Sequence, residues 1–363
     1  MSILRIDDHS PYRRLIGVGG LGTGMFFALE GEHTLGRNES RPARLLDVHD
    51  YCKLHIVIHY VATLLGAHMS GMPFHVVPVG KVGADQAGSH VSERMQQAGM
   101  DTALVQVDKE QPTLFSVCFQ YPDGSGGNIT TNNSAAGELS ARDLVEAAKF
   151  LKTAGPKTIA LAVPEVPLEV RHEFLKAARD AKSFRAASFV DAEISSAKEL
   201  GMFEMLDLVA FNESEAEAFT GCAFSDAPSS EFVKTCCEVT ESHPSLKMLV
   251  TAGKRGAFAF SGGSWDFCPA PSVQVASSAG AGDALLGGVL AAFAAGLPFL
   301  RSDQKPGHHT GSVTTALELG VLLGSYKVTS PHTIHPVANL DRLQEFGLTH
   351  GIEFSDELVR RMV

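Results

Sequence analysis

The residues with the clearest chemical potential form a glycine-rich segment, SSAGAGD, that ends at Asp283 and runs directly into an apolar stretch. Glycines before a helix let several backbone N–H groups point at one spot, and the helix N-terminus adds partial positive charge there. Gly280, Ala281 and Gly282 are therefore predicted to bind an anion such as a phosphate. The carboxylate of Asp283 would accept a proton from a hydroxyl group approaching that anion. The alternative is a helix cap whose glycines serve only close packing.

A second segment, TAGKRG, follows a short apolar run. Its small residues Thr251, Gly253 and Gly256 would let a phosphate-bearing group approach the backbone, and Lys254 or Arg255 would offset the charge of that group. The alternative is an ordinary turn between two strands.

Asn212 and Glu215 mark a third position, where a predicted strand gives way to a helix. Their spacing is that of a capping box, with Asn212 at the N-cap and Glu215 at the third helical position. The pair also suits a hydrated Mg²⁺ ion, which takes one or two carboxylates together with substrate phosphates. Both interpretations remain open at this stage.

Alternating short apolar runs and amphipathic stretches indicate how these segments are positioned. Strands are predicted over residues 157–163, 186–191, 206–211 and 246–251, with helices over 167–182, 195–205 and from about 213. This alternation predicts an α/β fold with a parallel sheet covered on both faces. The chemical segments then follow successive strands, at the sheet edge where open α/β sheets bind ligands.

The first third of the chain has a different pattern. Strands are predicted over residues 15–18 and 75–79, and a helix over 85–99 that ends at Gly99. Residues 113–121 and 128–132 flank a PDGSGG turn, which predicts a hairpin. We expect this hairpin and the polar stretch 30–44 to form a lid, with residues of about 20–50 and 111–134 inserted in a single domain over 1–363.

Composition narrows the range of partners. The chain has 30 Lys and Arg against 41 Asp and Glu, a net charge of −11, and so lacks the basic footprint of a nucleic-acid-binding protein. Its longest apolar run, residues 284–300, is shorter than the ~20 residues that a membrane span needs. The N-terminus lacks the apolar region of a secretory signal, and the six cysteines lack paired spacing. We therefore expect a cytoplasmic protein that acts on small molecules.

Taken together, these stretches resemble the ribokinase-type (PfkB) carbohydrate kinases. The resemblance rests on SSAGAGD, VTAGKRG, FNESEAEAFTG and GKVGADQAGSHVSERMQQAGMDT, and spans most of residues 15–330. It implies a three-layer sandwich with a mainly parallel central sheet and a small β lid. It also implies Mg²⁺-dependent transfer of the ATP γ-phosphoryl group to an alcohol.

The resemblance also implies roles for individual residues. Asp283 would be the catalytic base, and the backbone of residues 280–282 the anion hole. Asn212 and Glu215 would serve the network of Mg²⁺ and phosphate. The nucleotide site would be lined by Thr251, Gly253, Lys254 and Gly256.

The acceptor side departs from the family pattern. Residues 19–24 read GGLGTG and lack the usual Asp after the first strand, and residues 50–55 read DYCKLH where a Gly-Gly-Asn-like motif is usual. A helix is predicted only from residue 56. Asn38, Arg41, Lys53 and His55 are predicted to build a substrate-specific pocket, whose cations favour an acidic or phosphorylated acceptor. The alternative is a solvated loop.

Two departures concern the nucleotide side. Ser277 and Ser278 stand where the family has Asp-Thr, in a region that helps relatives bind a monovalent cation, which makes activation by K⁺ doubtful. Gly320 and Gly324, one helical turn apart, replace a usual Asn and would provide either a flat surface for a base or close helix packing.

Three functions therefore remain open. The first is a kinase for a sugar or sugar-like alcohol, the second a kinase for a nucleoside or another alcohol, and the third a lapsed kinase that binds ligand without turnover. An open lid edge also permits a homodimer.

Overall fold

The computed structural model describes residues 2–123, 125–227, 229–301 and 311–363. The strands are β1 (Arg14–Val18), β2 (Gly22–Leu29), β3 (Ala43–Tyr51), β4 (His75–Gly83), β5 (Val105–Asp108), β6 (Leu114–Gln120), β7 (Gly126–Thr130), β8 (Thr158–Ala162), β9 (Phe184–Ser188), β10 (Leu208–Phe211), β11 (Lys247–Thr251), β12 (Gly256–Ser261), β13 (Ser264–Pro269), β14 (Ser312–Val313) and β15 (Glu353–Phe354). The helices are α1 (Lys53–Leu65), α2 (Gln86–Gln97), α3 (Val145–Ala154), α4 (Leu168–Asp180), α5 (Ile194–Glu199), α6 (Glu213–Thr220), α7 (Glu231–Ser242), α8 (Ala281–Ala294), α9 (Ala316–Lys327), α10 (Leu340–Thr349) and α11 (Asp356–Arg360).

The central sheet has the strand order β13-β12-β11-β10-β9-β8-β1-β4-β5. Strands β11 to β5 in this order run parallel, and β12 and β13 add an antiparallel edge. The side chains of neighbouring residues in a strand are buried on opposite faces of the sheet. Leu15 belongs to the apolar core on one face, and Ile16 to the core on the other. Because a sheet buried on both faces needs helices on both sides, this arrangement confirms the predicted parallel α/β fold.

A second, four-stranded sheet has the order β3-β2-β6-β7. β6 and β7 form the predicted hairpin, whereas β2 pairs with β6 in parallel, with Thr23 opposite Phe115. These strands lie within or next to the two segments for which a lid is predicted.

Two predicted helices have different bounds in the structure. The helix expected over 195–205 ends as α5 at Glu199, because Gly201 takes a left-handed conformation with φ 64°. A short 3₁₀ turn at Phe203–Met205 follows. The helix expected from residue 56 begins at Lys53, which moves two candidate pocket residues into its first turn.

Helix α8 packs against both α1 and α9. A Cβ atom on Gly288 would lie 3.0 Å from the Cα of Gly320, so these glycines let α8 and α9 approach closely. Gly320 therefore serves helix packing, one of the two alternatives for this position. Within the described parts of the chain, no helix combines the length and apolarity required to cross a membrane.

Candidate active site

The glycine-rich segment forms a tight turn at the start of α8. Gly280 caps this helix with φ 75°, and a Cβ atom there would lie 2.9 Å from the Thr333 carbonyl oxygen. The N–H group of Ala281 donates to the carbonyl of Ser278 at 3.2 Å. The next N–H groups, of Gly282 and Asp283, lie in the first helical turn, where intrahelical acceptors are absent. The turn therefore presents donors and helix-terminal charge to a ligand.

Asp283 is partly buried in the first turn of α8. Burial raises the pKa of its carboxyl group, while the positive charges of Lys53 and Lys327 act in the opposite direction. A carboxyl group with a raised pKa is a better proton acceptor than an ordinary aspartate. Its environment thus suits the predicted role of general base.

The first turn of α1, which begins at Lys53, is close to the first turn of α8, which contains Asp283. The side chain of Ile56, one turn further along α1, comes within 3.5 Å of the Cβ position of Gly280. Attraction to Asp283 is the largest influence raising the pKa of Lys53, and Glu215, Glu165 and Glu193 add to it. The negative charges of four carboxylates therefore act on Lys53.

Glu165 is a site residue that sequence reasoning missed. It follows β8, and its Oε2 accepts a hydrogen bond from the Lys53 backbone N–H at 3.1 Å. A Cβ atom on Gly20 would lie 2.7 Å from this oxygen. The carboxylate of Glu165 thus stands after β1, where the family's usual Asp is missing. The signal available in the sequence was an acidic residue just after a predicted strand.

The backbone and side chain of Glu165 are both unusual. Its φ of 74° is in the left-handed region, which a non-glycine residue adopts at a cost of about 1–3 kcal/mol and mainly at functional positions. Burial raises the pKa of the Glu165 carboxyl group to about 7, against the opposing charge of Lys53.

A cavity of about 560 Å³ joins the glycine-rich turn to the second segment. The residues of these two segments that line it are Thr251, Gly253, Lys254, Gly256, Ser278, Ala281 and Gly282. Gly324 and the apolar side chains of Val273, Leu285, Val321 and Val328 form another wall. The volume and the largely apolar wall are typical of small-molecule sites.

The predicted cations of the second segment have different surroundings. Arg255 is paired with Glu213 and Asp226, whereas Lys254 is exposed at the cavity. The segment is also a turn between β11 and β12, so it is both a strand connection and a cavity wall.

Comparison with protein families identifies the chain. Residues 61–340 match the family described as "pfkB family carbohydrate kinase". The chain belongs to this family. The matched range contains the glycine-rich turn, the TAGKRG segment, Glu165 and Glu215, whereas Gly20 and Lys53 precede it.

Solved structures show that this pfkB-family chain has the ribokinase-like fold. A ribokinase from Cryptococcus neoformans var. grubii serotype A in complex with ADP is 20% identical, with a TM-score of 0.71 over 92% of this chain and 99% of that one. A putative ribokinase II from E. coli in complex with ATP and Mg²⁺ is 16% identical, with a TM-score of 0.70 over 93% and 100%. The Arabidopsis thaliana ribokinase complexed with ribose and ATP is 17% identical, with a TM-score of 0.66 over 93% and 99%.

In this pfkB-family member, Asn212 and Glu215 form the predicted capping box. Asn212 Oδ1 accepts from the Glu215 N–H at 2.8 Å, and Glu215 Oε2 accepts from the Asn212 N–H at 2.8 Å. Burial raises the pKa of the Glu215 carboxyl group to about 7, while Lys53 opposes the shift. Only Oε2 takes part in the cap, so the box is compatible with a second role for Oε1.

The four candidate acceptor residues are not brought together. Arg41 is held within its own loop by Glu39 and the His33 carbonyl, each at 2.7 Å, and Asn38 is exposed nearby. His55 is 1% exposed, and its closest ring neighbour is Tyr51 at 4.5 Å.

Both ring nitrogens of His55 lack a hydrogen-bond partner among the described residues, and burial lowers its pKa. Of the four candidates, Lys53 is the one that joins the carboxylates around Asp283.

Proposed function

We propose that this protein transfers the γ-phosphoryl group of ATP to a hydroxyl group of a sugar or sugar-like small molecule. The observation that carries this proposal is the position of Asp283. It follows the exposed donors of the glycine-rich turn, which borders the 560 Å³ cavity, and it lies beside the cluster of Lys53 and Glu165. A nucleotide on one side and an alcohol on the other would meet at this carboxylate.

The cavity supports binding of ATP. Its apolar wall of Leu285, Val321 and Val328 suits the flat ring of a base, and Gly324 leaves room beside it. Thr251 and Lys254 lie where polar phosphates would pass toward α8. Similar proteins whose structures were solved in complex with ADP or ATP are consistent with this nucleotide.

The residues present also fit Mg²⁺. No cluster of three or more His, Cys, Asp or Glu side chains suited to an ion occurs in the described ranges, and Mg²⁺ bound with ATP does not need one, because waters and phosphates fill most positions. Glu215 would hold the hydrated ion, with Asn212 orienting the carboxylate. When bound, the ion neutralises charge on the transferring phosphoryl group.

The charge balance around Asp283 favours a neutral, hydroxyl-rich acceptor. On the acceptor side, Lys53 is attracted to Asp283, Glu165 and Glu215. Glu193 is paired with Arg171, and Lys327 lies behind the glycine-rich turn. Arg41, which the sequence suggested as a second cation, is already paired with Glu39. An anionic acceptor would therefore meet more negative than positive charge, whereas carboxylates accept hydrogen bonds from hydroxyl groups.

The lid contributes polar groups above this region. Asp50, at the end of β3, is buried, and its Oδ2 accepts from Cys118 Sγ at 2.8 Å and from Ser116 Oγ at 3.3 Å. The negative charges of Glu165 and Asp50 both raise the pKa of the Cys52 thiol, behind burial as the main cause. A lid carboxylate and a body carboxylate thus both act on Cys52, the residue just before α1.

The chemistry follows from this arrangement. Asp283 takes the proton of the acceptor hydroxyl group while the oxygen of that hydroxyl attacks the γ-phosphorus. The bond between the γ-phosphorus and the leaving oxygen of ADP breaks. The N–H groups at the start of α8 stabilise the charge of the transferring group, an effect worth about 10²–10³ in rate for a single donor. Glu165 and Lys53 orient the acceptor.

A screen for ADP release tests this function. Wild type and Asp283→Asn would be compared with ATP and Mg²⁺ against sugars, sugar acids, sugar phosphates, polyols and nucleosides. We expect a neutral sugar or polyol to be turned over, and the rate to fall by about 10²–10⁴ in Asp283→Asn. Asp180→Asn, on the exposed end of α4, is the matched control and should behave like wild type.

The other outcomes assign the alternatives. Turnover of nucleosides alone would replace the sugar acceptor by a nucleoside. Binding of ATP without turnover of any acceptor would refute the kinase and support a protein that only binds ligand.

A further inference from the structure

Lys327 is a fully buried lysine to which the proposed mechanism gives no role. It is the last residue of α9 and is 0% exposed. Lysine is almost never fully buried, because taking an ammonium group out of water costs several kcal/mol unless its surroundings compensate. Its position in the molecule therefore calls for a specific explanation.

The ammonium group lies directly behind the glycine-rich turn. Lys327 Nζ donates to the carbonyl oxygen of Ser277 at 3.0 Å, and Ser277 is itself 0% exposed. Ser277 Oγ accepts from the Ala279 N–H at 3.2 Å, and the Ser277 N–H donates to the Val328 carbonyl at 3.3 Å. These bonds tie the end of α9 to the residues immediately before Gly280.

The charge of Lys327 also reaches the catalytic carboxylate. The lysine is one of two cations that lower the pKa of Asp283 against the effect of burial, and Lys53 is the other. The two lysines differ in position. Lys53 is at the start of α1, where several carboxylates act on it, whereas Lys327 lies behind the glycine-rich turn and donates to the Ser277 carbonyl.

We propose that Lys327 is a positioning residue whose ammonium group acts as a built-in monovalent cation behind the anion-binding turn of α8. This inference rests on the proposed kinase function. The ammonium holds the Ser277 carbonyl, and through it the turn that aims the N–H groups of α8. Its charge adds to the positive end of the helix, where negative charge accumulates during transfer.

The proposal explains the substitution at Ser277 and Ser278. A side-chain carboxylate at this point would bind a soluble cation, whereas a serine beside a tethered ammonium needs none. Phosphoryl transfer by this protein is therefore independent of added K⁺.

Three variants test the proposal. Lys327→Met keeps the length of the side chain without its charge, Lys327→Ala leaves space for a small cation, and Lys234→Met changes an exposed lysine on α7 as the control. The values of kcat and of KM for ATP are measured in KCl, NH₄Cl and choline chloride at equal ionic strength, which keeps general screening constant.

The expected kinetic pattern distinguishes a role for the positive charge of Lys327 from a purely structural role of its side chain. Wild type and Lys234→Met should have the same kcat in all three salts. Lys327→Met should lose about tenfold or more in kcat with little change in KM, as expected when charge stabilisation of the transition state is weakened. Lys327→Ala should have a low kcat in choline chloride, and K⁺ or NH₄⁺ should raise this kcat several-fold. The same salts should not rescue Lys327→Met, because the methionine side chain fills the space that the cation would occupy.

A wild-type kcat that requires K⁺ would overturn the proposal, and so would a Lys327→Met kcat within twofold of wild type. Thermal unfolding gives a second readout that does not need turnover. The melting temperature of Lys327→Ala should rise in KCl or NH₄Cl relative to choline chloride, and that of wild type should not. If wild type turns over no acceptor, the kinase function fails, and a salt-independent melting temperature of Lys327→Ala would separately refute the cation site.

Discussion

Replacing Gly280 and Gly282 separately by alanine should distinguish folding from function within one turn. Gly280 has φ 75°, which costs a residue with a Cβ about 1–2 kcal/mol. The new Cβ would also lie 2.9 Å from the Thr333 carbonyl oxygen, so one backbone segment must shift. Alanine restricts the unfolded chain, which offsets about 0.4–1 kcal/mol. We expect Gly280→Ala to lower the free energy of unfolding by about 1–3 kcal/mol in total.

Gly282→Ala is the matched variant with the opposite expectation. Beyond its own helical turn, a Cβ on Gly282 meets no atom of the described residues within 4 Å, and alanine favours a helical position over glycine by up to about 1 kcal/mol. Its methyl group would instead occupy the cavity that Gly282 lines. We expect unchanged or greater stability, with a fall of about tenfold in kcat/KM for ATP, equivalent to ~1.4 kcal/mol.

Urea unfolding followed by circular dichroism, together with ATP kinetics, measures both quantities. The reasoning would be refuted if the two variants unfolded at the same urea concentration. It would also be refuted if Gly282→Ala kept the full kcat/KM, since the cavity beside this residue would then not receive the phosphates.

Three further outcomes follow from the charges and caps of the site. Lys53→Met removes a cation that lowers the pKa of Asp283, so the acid limb of the pH profile of kcat/KM should move to higher pH, while Lys152→Met on α3 should leave it in place. An unfolded chain releases the Glu165 proton near 4.5 and the folded protein only near 7, so stability should fall as pH rises between these values, and Glu165→Gln should flatten this fall in urea titrations. Asn212→Ala and Ser230→Ala each remove a helix cap and should each cost about 1 kcal/mol, but only Asn212→Ala should raise the Mg²⁺ concentration needed for half-maximal rate.

Six strands of the central sheet could be predicted from the sequence because each contains a short apolar run, namely β1, β4, β8, β9, β10 and β11. The edge strands β5 (VQVD) and β13 (SWDFCP) are more polar and were not predicted. The glycine-rich turn was also recognisable, since Gly280 and Gly282 stand directly before an apolar helix. The start of α1 was placed three residues late, because Cys52 offers no side-chain cap and Lys53 and His55 interrupt the apolar pattern. The predicted cytoplasmic location and lid-mediated dimer stay predictions.

The acceptor side required tertiary contacts that a linear pattern does not contain. Glu165 is a lone acid after β8, and its relation to Gly20 appears only when β1 and β8 pair. The pairing of Arg41 is local, by contrast, because its partner Glu39 is two residues earlier in the same loop. Lys327 lies in an apolar helix, where its link to Ser277, 50 residues away in the chain, leaves no local trace.

The short connection between the lid and α1 has a mechanical consequence. β3 ends at Tyr51 and α1 begins at Lys53, so Cys52 alone separates them. Because one residue connects the two elements, a rotation of the lid sheet about Cys52 would also move the first turn of α1. Binding of a substrate under the lid would thereby move Lys53 and change the effect of its charge on the Asp283 carboxylate before phosphoryl transfer.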